Sequence, residues 1–253
     1  MSQAVETTGA VRLAELIRGA ERAVVLTGAG VSVPSGIPDF RTPGKGMWEK
    51  VNPMEVAHID AFRSNPDRFW QFYSDRFASL VDKRPNPAHE AIAELERRGH
   101  VRGVITQNVD RLHRMAGSER VIEVHGSIEH SVCLECGGRV ELERVIEIIR
   151  EHPGAPECGA CIQPLKPDVV LFGEMLPAAA LAEAHALAEE ADLMLCVGSS
   201  LEVFPVASLP GVTLEAGGRV AIVTAGPTAY DAEADLKLSG DVADELQAVV
   251  AAL

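Results

Sequence analysis

Strand-length apolar runs recur along this 253-residue chain with helix-patterned segments between them, and that alternation limits the fold more than any other feature. Ala23–Thr27 (AVVLT), Gly103–Thr106 (GVIT), Val121–Val124, Val169–Phe172, Leu193–Val197 (LMLCV) and Val220–Thr224 (VAIVT) are the runs in question. Continuous apolar character over that length suits strands buried on both faces, as in a parallel sheet covered by helices. Val11–Ala20, Ala88–Arg98, Ala178–Glu190 and Asp241–Leu253 carry the helical pattern. Pro87 sits just inside the second of these and Gly99 just past its end, the usual punctuation of a helix. The expectation is a doubly wound α/β domain.

Two stretches interrupt the rhythm. Thr42–Arg84 is rich in aromatics (Trp48, Phe62, Phe69, Trp70, Phe72, Tyr73, Phe77) and reads as loop followed by helices. The stretch from about His130 to Lys166 holds four of the five cysteines. Both read as insertions that together form a smaller domain. The expected division places 1–41, 85–129 and 167–253 in the main domain, and 42–84 and 130–166 in the small one.

The cysteines form two C-x-x-C pairs, Cys133/Cys136 and Cys158/Cys161, 21 residues apart. Two short-loop pairs gather four thiolates at low entropic cost, which suits one tetrahedral Zn²⁺ per chain. Gly137, Gly138 and Gly159 offer the tight turns such knuckles need. Four thiolates leave no open coordination position, so the metal would be structural. Disulfides are the rival reading, disfavoured in a cytoplasmic chain. Cys196, inside an apolar strand, reads as an inert core residue.

A formal charge of −14 argues against a nucleic-acid partner, since phosphate neutralisation needs clustered Lys and Arg. No apolar run reaches the length of a membrane span, and the N-terminal residues lack the apolar core of a signal peptide. A cytoplasmic location is expected.

Polar residues gather where the expected strands end, the position at which open α/β sheets bind ligands. Gly28-Ala29-Gly30-Val-Ser32 follows the first strand, but it lacks the third glycine of a dinucleotide fingerprint, and no strand-end acid follows about 20 residues on. Thr106–His113 (TQNVDRLH) follows the second run. Gln107, Asn108 and Asp110 there either serve a ligand or, for Asn108 or Asp110, cap the next helix. His125-Gly126 ends another run, where a lone histidine can be structural or catalytic. Gly198-Ser199-Ser200 after LMLCV lets a phosphate or ribose approach the backbone.

Taken together, Gly28–Arg41 (GAGVSVPSGIPDFR), TQNVDRLH, His125-Gly126, the four cysteines, Val170–Pro177 (VLFGEMLP) and Gly198–Pro205 (GSSLEVFP) resemble the sirtuins, NAD-dependent protein-lysine deacylases. The match runs from about residue 12 to 250 with the motifs in family order. The resemblance implies a Rossmann-like NAD-binding domain joined to a smaller zinc-binding and helical domain, with NAD as co-substrate and acyl-lysine proteins or peptides as partners. It further implies that the acyl oxygen attacks the ribose carbon bearing nicotinamide, nicotinamide leaves, and the acyl group ends on ADP-ribose. His125 would be the general base that deprotonates a ribose hydroxyl, with Asn108 beside it in the catalytic pocket.

Carried over by position, Gly28, Ala29, Gly30 and Ser32 line the diphosphate, with the loop's backbone N–H groups facing it. Asn108 and Asp110 line the nicotinamide pocket, and Gln107 contacts the ribose. Gly198, Ser199, Ser200, Thr224 and the backbone near Val242 meet the phosphate and adenosine end. Asp39, Phe40, Arg41 and Trp48 belong to the cofactor loop, where Phe40 would shield the reactive carbon. Val170, Phe172, Gly173 and Glu174 flank the peptide, as does the segment from Leu201 to Val203, by strand-like pairing. Thr224 departs from the Asn usual in the family. A monomer is expected.

Ala57, Tyr73 and Arg76 resemble the subgroup of sirtuins that remove succinyl or malonyl groups, where an Ala widens the pocket and a Tyr and Arg bind the distal carboxylate. Arg76 lies three residues after Tyr73, on the same helical face, and a guanidinium with a phenol suits a carboxylate. The alternative is a Tyr packed in the small domain and an Arg paired with a surface acid such as Asp75 or Asp82. At the level of activity, the alternatives are a sirtuin restricted to deacetylation and one acting mainly as a protein ADP-ribosyltransferase.

Overall fold

The computed structural model describes residues 2–39, 52–152 and 154–253. Phe40, Arg41 and Trp48 lie outside the described residues. The main sheet is parallel and six-stranded: β1 Ala23–Thr27, β2 Val101–Thr106, β3 Val121–Glu123, β7 Leu193–Val197, β8 Arg219–Val223 and β9 Leu236–Leu238, in the spatial order β3-β2-β1-β7-β8-β9. Chain order reverses between β1 and β7, which makes their carboxyl ends the topological switch point of a Rossmann-like sheet.

The apolar runs form strands because both sides of the sheet are covered. Val25, Val104, Leu195 and Val223 point to one side and pack with α1 (Ser2–Gly19), α5 (Pro87–Arg97) and α10 (Val242–Ala252). Their neighbours Val24, Ile105, Met194, Cys196 and Ile222 point to the other, against α8 (Ala178–Glu190) and α9 (Leu209–Glu215). Asn86 caps α5 by accepting from Ala88 N, and Pro87 takes the first helical position. Asp241 caps α10 by accepting from Ala243 N and Asp244 N.

A second, three-stranded antiparallel sheet joins β4 (Gly126–Cys133), β5 (Arg139–Glu141) and β6 (Leu165–Val169) in the order β5-β4-β6. This differs from the expected parallel strand over Val169–Phe172: the strand lies earlier and runs antiparallel to β4. Its strands also reach across the divisions expected at 129/130 and 166/167. Around it pack α3 (Ile59–Ser64), α4 (Pro66–Val81) and α7 (Leu142–Glu151), with α2 (Pro53–Val56) leading into α3. Phe62, Phe69, Trp70 and Phe77 from the aromatic stretch share one core with Leu142, Val145, Ile146 and Leu165 from the cysteine stretch. The two insertions therefore bury a common interior. Among the described residues, no helix is long and apolar enough to cross a membrane.

The remaining helical turn that matters for the site is α6 (Leu112–Met115), which follows β2.

Candidate active site

At the switch point, the loops after β1 and β7 are stitched together by their backbones. Gly28 N donates to Val197 O (3.1 Å) and Gly30 N to Gly198 O (2.8 Å), while Val31 N closes back on Gly28 O (3.1 Å). These three amides are used within the protein, joining the two loops. The glycines allow close approach. A Cβ on Gly30 would stand 2.7 Å from Gly198 O, and one on Gly198, whose φ is +60°, would stand 2.2 Å from Val31 N. Ala29–Ser35 then forms a tight 3-10 turn that ends at Gly36 (φ +76°).

Below this loop lies a buried polar floor. Asn108 Nδ2 donates to Gly28 O and to Ser32 Oγ, both at 3.1 Å. Ser32 Oγ donates to Asp110 Oδ2 (2.7 Å), and Asp110 Oδ1 accepts from Leu112 N (3.0 Å). Asp110 thus holds the start of α6, the capping role open to it in the sequence, and it also anchors the loop through Ser32; Asn108 makes only loop contacts. Burial raises the carboxyl pKa of Asp110, with Ser32 and the amide of Leu112 opposing.

Gln107 Nε2 reaches Ser199 Oγ (3.0 Å) and Thr27 O (3.3 Å), so it joins the β1, β2 and β7 ends. Its main-chain carbonyl lies 3.0 Å from His125 Nδ1. A carbonyl can only accept, so Nδ1 carries the proton and Nε2 is the basic nitrogen of His125. Burial lowers the pKa of His125, partly offset by that hydrogen bond. His125 O in turn accepts from Val170 N (2.8 Å), which ties the catalytic candidate to the VLFGE segment.

Two histidines missed in the sequence support this floor. His89, on α5, puts Nε2 3.4 Å from Ser32 Oγ, and His113 puts Nε2 2.9 Å from Thr27 Oγ1. Thr27 Oγ1 donates to Thr106 Oγ1 (2.8 Å), so His113 must donate through Nε2. Their rings meet edge-on at 4.9 Å. Burial lowers His89 to about 4, and burial followed by the proximity of His89 lowers His113 to about 3, so both are neutral at pH 7. The one available signal was the histidine closing TQNVDRLH.

At the far end of the sheet, Ser200 Oγ donates to Glu202 (3.1 Å). Thr224 follows β8, its N–H taken by Leu238 O (3.0 Å), and Val242 opens α10. Beyond β6, Phe172 N donates to Ala57 O and Ile59 N to Phe172 O, both at 2.9 Å. Ala57 is buried while Phe172 is 44 % exposed. Tyr73 stacks on Phe77 (5.3 Å between ring centroids, 19°) and Phe69, and burial pushes its phenol up to about 12, with Arg76 opposing. The Arg76 guanidinium lies 3.7 Å from the Phe72 ring centroid and donates to Phe72 O (2.8 Å). Among the described residues it forms no ion pair with Asp75 or Asp82.

The four cysteine sulfurs lie within 4.8 Å of one another, with separations of 3.3 Å (Cys133–Cys161) and 3.6 Å (Cys136–Cys158 and Cys136–Cys161). Tetrahedral Zn–S bonds of about 2.3 Å place sulfurs about 3.8 Å apart, so the cluster fits zinc. Backbone N–H groups of Ala160 and Cys161 draw the Cys158 thiol down to about 7, toward the thiolate a metal needs. Gly137 takes a left-handed conformation (φ +72°) in the first knuckle; in the second that place falls to Ile162 (φ +59°) rather than to Gly159. All five cysteines are free, and Cys196 is buried in β7 with its thiol pKa raised by burial.

A doubly wound sheet whose switch point carries this polar floor, beside a four-cysteine module, defines a nucleotide-binding α/β protein with a metal knuckle. Residues 28–205 match the Sir2 family model, and the chain belongs to the Sir2 family. It is 46% identical over 228 residues to NAD-dependent protein deacetylase 1 of Pyrobaculum aerophilum, covering 90% of this chain and 88% of that one. It is 45% identical over 241 residues to NAD-dependent protein deacylase 2 of Archaeoglobus fulgidus, covering 94% of each. Among solved structures, a complex described as Sir2, p53 peptide and NAD⁺ superposes with a TM-score of 0.88 at 40% identity, covering 95% of this chain and 96% of that one. A Sir2Tm structure bound to a propionylated peptide gives a TM-score of 0.87 over the same shares.

Proposed function

We propose that the protein is an NAD-dependent protein-lysine deacylase that moves acetyl, and also succinyl or malonyl, groups from lysine to ADP-ribose with release of nicotinamide. The observation that carries this reading is the tautomer lock at the switch point. Gln107 O fixes the proton of His125 on Nδ1, leaving a neutral basic Nε2. A neutral imidazole can take a proton from a ribose hydroxyl near pH 7. The relatives' names and the peptide and NAD⁺ complexes of the solved neighbours support the same chemistry.

NAD supplies the ribose and the leaving group, and this chain's residues do the rest. Asn108 and Asp110 line the nicotinamide pocket and, through Ser32, hold the loop in which Gly28, Ala29, Gly30 and Ser32 line the diphosphate. Gln107, Ser199 and Ser200 meet ribose and phosphate, with Thr224 and Val242 at the adenosine end. Asp39, Phe40, Arg41 and Trp48 complete the cofactor loop. The segment Val170–Glu174 flanks the peptide. Zinc on Cys133, Cys136, Cys158 and Cys161 fastens the second sheet. The division into a discontinuous NAD-binding domain and a small domain, a cytoplasmic location and a monomeric state belong to the same reading.

The acyl preference rests on Tyr73 and Arg76. The guanidinium sits over an aromatic ring, with no carboxylate among its described partners, and a burial-raised phenol stays protonated beside it. That pair can take a dicarboxylate tail. Kinetics on matched acetyl- and succinyl-lysine peptides test it: Arg76→Met should lower succinyl turnover about tenfold or more relative to acetyl turnover. An unchanged ratio removes the dicarboxylate reading and leaves a deacetylase.

A further inference from the structure

Lys166 is 4 % exposed, near the start of β6. A buried ammonium is costly unless each of its three protons has an acceptor. Here all three do: Nζ lies 3.1 Å from Pro167 O, 2.7 Å from Val169 O and 2.9 Å from Glu174 Oε2. The same Glu174 oxygen accepts from Leu171 N (2.9 Å), and Glu174 N donates to Leu171 O (3.0 Å). Gly173, at φ +84°, makes the turn between them.

One end of this arrangement is rigid. The neighbouring Leu165 accepts from Trp70 Nε1 (2.8 Å) and pairs across the sheet with Cys133, in the four-cysteine cluster. The other end is the segment that faces substrate. Between Lys166 and Glu174, Val170 N is held by His125 O, while Phe172 exchanges backbone bonds with Ala57 and Ile59. Phe172 and Met175 stand exposed beside it, at 44 % and 91 %.

We infer that Lys166 is a positioning residue for the acyl-lysine substrate: through Glu174 and the carbonyls of Pro167 and Val169 it fixes the turn along which the peptide pairs. The inference rests on the deacylase reading. Lys166 acts through the turn, and the Glu174 side chain serves the turn from within rather than the peptide directly. Specificity for the flanking peptide thus depends on a charge removed from solvent and anchored in the cysteine-bearing sheet.

Steady-state kinetics with an acetyl-lysine peptide and NAD varied independently test this. Lys166→Met should raise the KM for peptide about tenfold or more, as loss of a buried charged hydrogen-bond set implies. The KM for NAD and kcat should stay within about twofold, the pattern of lost ground-state binding to one substrate. Glu174→Ala should repeat the effect and keeps the test available if Lys166→Met does not fold. A peptide KM unchanged in a folded variant, or NAD and peptide KM rising together, overturns the assignment. Failure of the unaltered protein to turn over any acyl-peptide would instead strike at the deacylase reading itself.

Discussion

His125 shows how one hydrogen bond decides the role of a side chain. Because its Nδ1 is committed to Gln107 O, the imidazole offers one basic nitrogen, and burial keeps it neutral below the ordinary histidine range. His125→Ala should cost about 10²–10⁴-fold in turnover with fold and zinc content intact, measured as nicotinamide release. Since the pKa is lowered, the active neutral form persists to more acid pH, so the acid limb of kcat/KM should fall below about 6.5. His89 and His113 carry a different consequence. Both are lowered in the folded state, so between about pH 4 and 6.5 only the unfolded chain binds their protons. Their contribution to stability is full above pH 6.5 and is lost as pH falls toward 4. Denaturant titrations across that window should show His89→Asn with a shallower pH dependence, by about 1.4 kcal/mol per pH unit. An equal slope in the two proteins would show that His89 already titrates normally when folded. His89 left no mark in the sequence and His113 only its place at the end of TQNVDRLH, because each partner lies far away: Ser32 is 57 positions from His89, and Thr27 is 86 from His113.

Among the elements, legibility follows burial pattern. The runs that became β1, β7 and β8 read directly because both faces are covered, and α5 read from its period and its Pro87 and Gly99 punctuation. β6 escaped because LKPDV holds a lysine, a proline and an aspartate. Its edge position accommodates Pro167, and Glu174 neutralises Lys166. β4 mixes buried and part-exposed residues without a strict period of two and runs through Ser and His, a weak signal for a strand. The loops at the switch point make the sharpest element-scale prediction. Gly198→Ala forces a Cβ onto Val31 N at 2.2 Å, so one loop must move. Stability should fall by roughly 1–3 kcal/mol, and the KM for NAD should rise. Gly99→Ala is the control: its φ is +78° but nothing lies within 4 Å, so it should cost about 1 kcal/mol without touching NAD binding.

At the scale of the whole molecule, the chain joins two sheets through the residues to which the chemistry is assigned above. β4 begins at Gly126, immediately after His125, and β6 leads into the segment whose Val170 binds back to His125. The candidate base therefore sits where the parallel sheet hands over to the cysteine-bearing one. The motifs of this junction were legible because they cluster at strand ends; its mechanics were not, since they depend on which backbone groups are already bonded. Acyl transfer to ADP-ribose is read out by mass spectrometry of the products formed from NAD and an acyl-lysine peptide panel. Nicotinamide, deacylated peptide and O-acyl-ADP-ribose should appear in equal amounts, and only when acyl-lysine is present. ADP-ribose attached to protein, or nicotinamide release indifferent to acyl-lysine, would contradict that transfer.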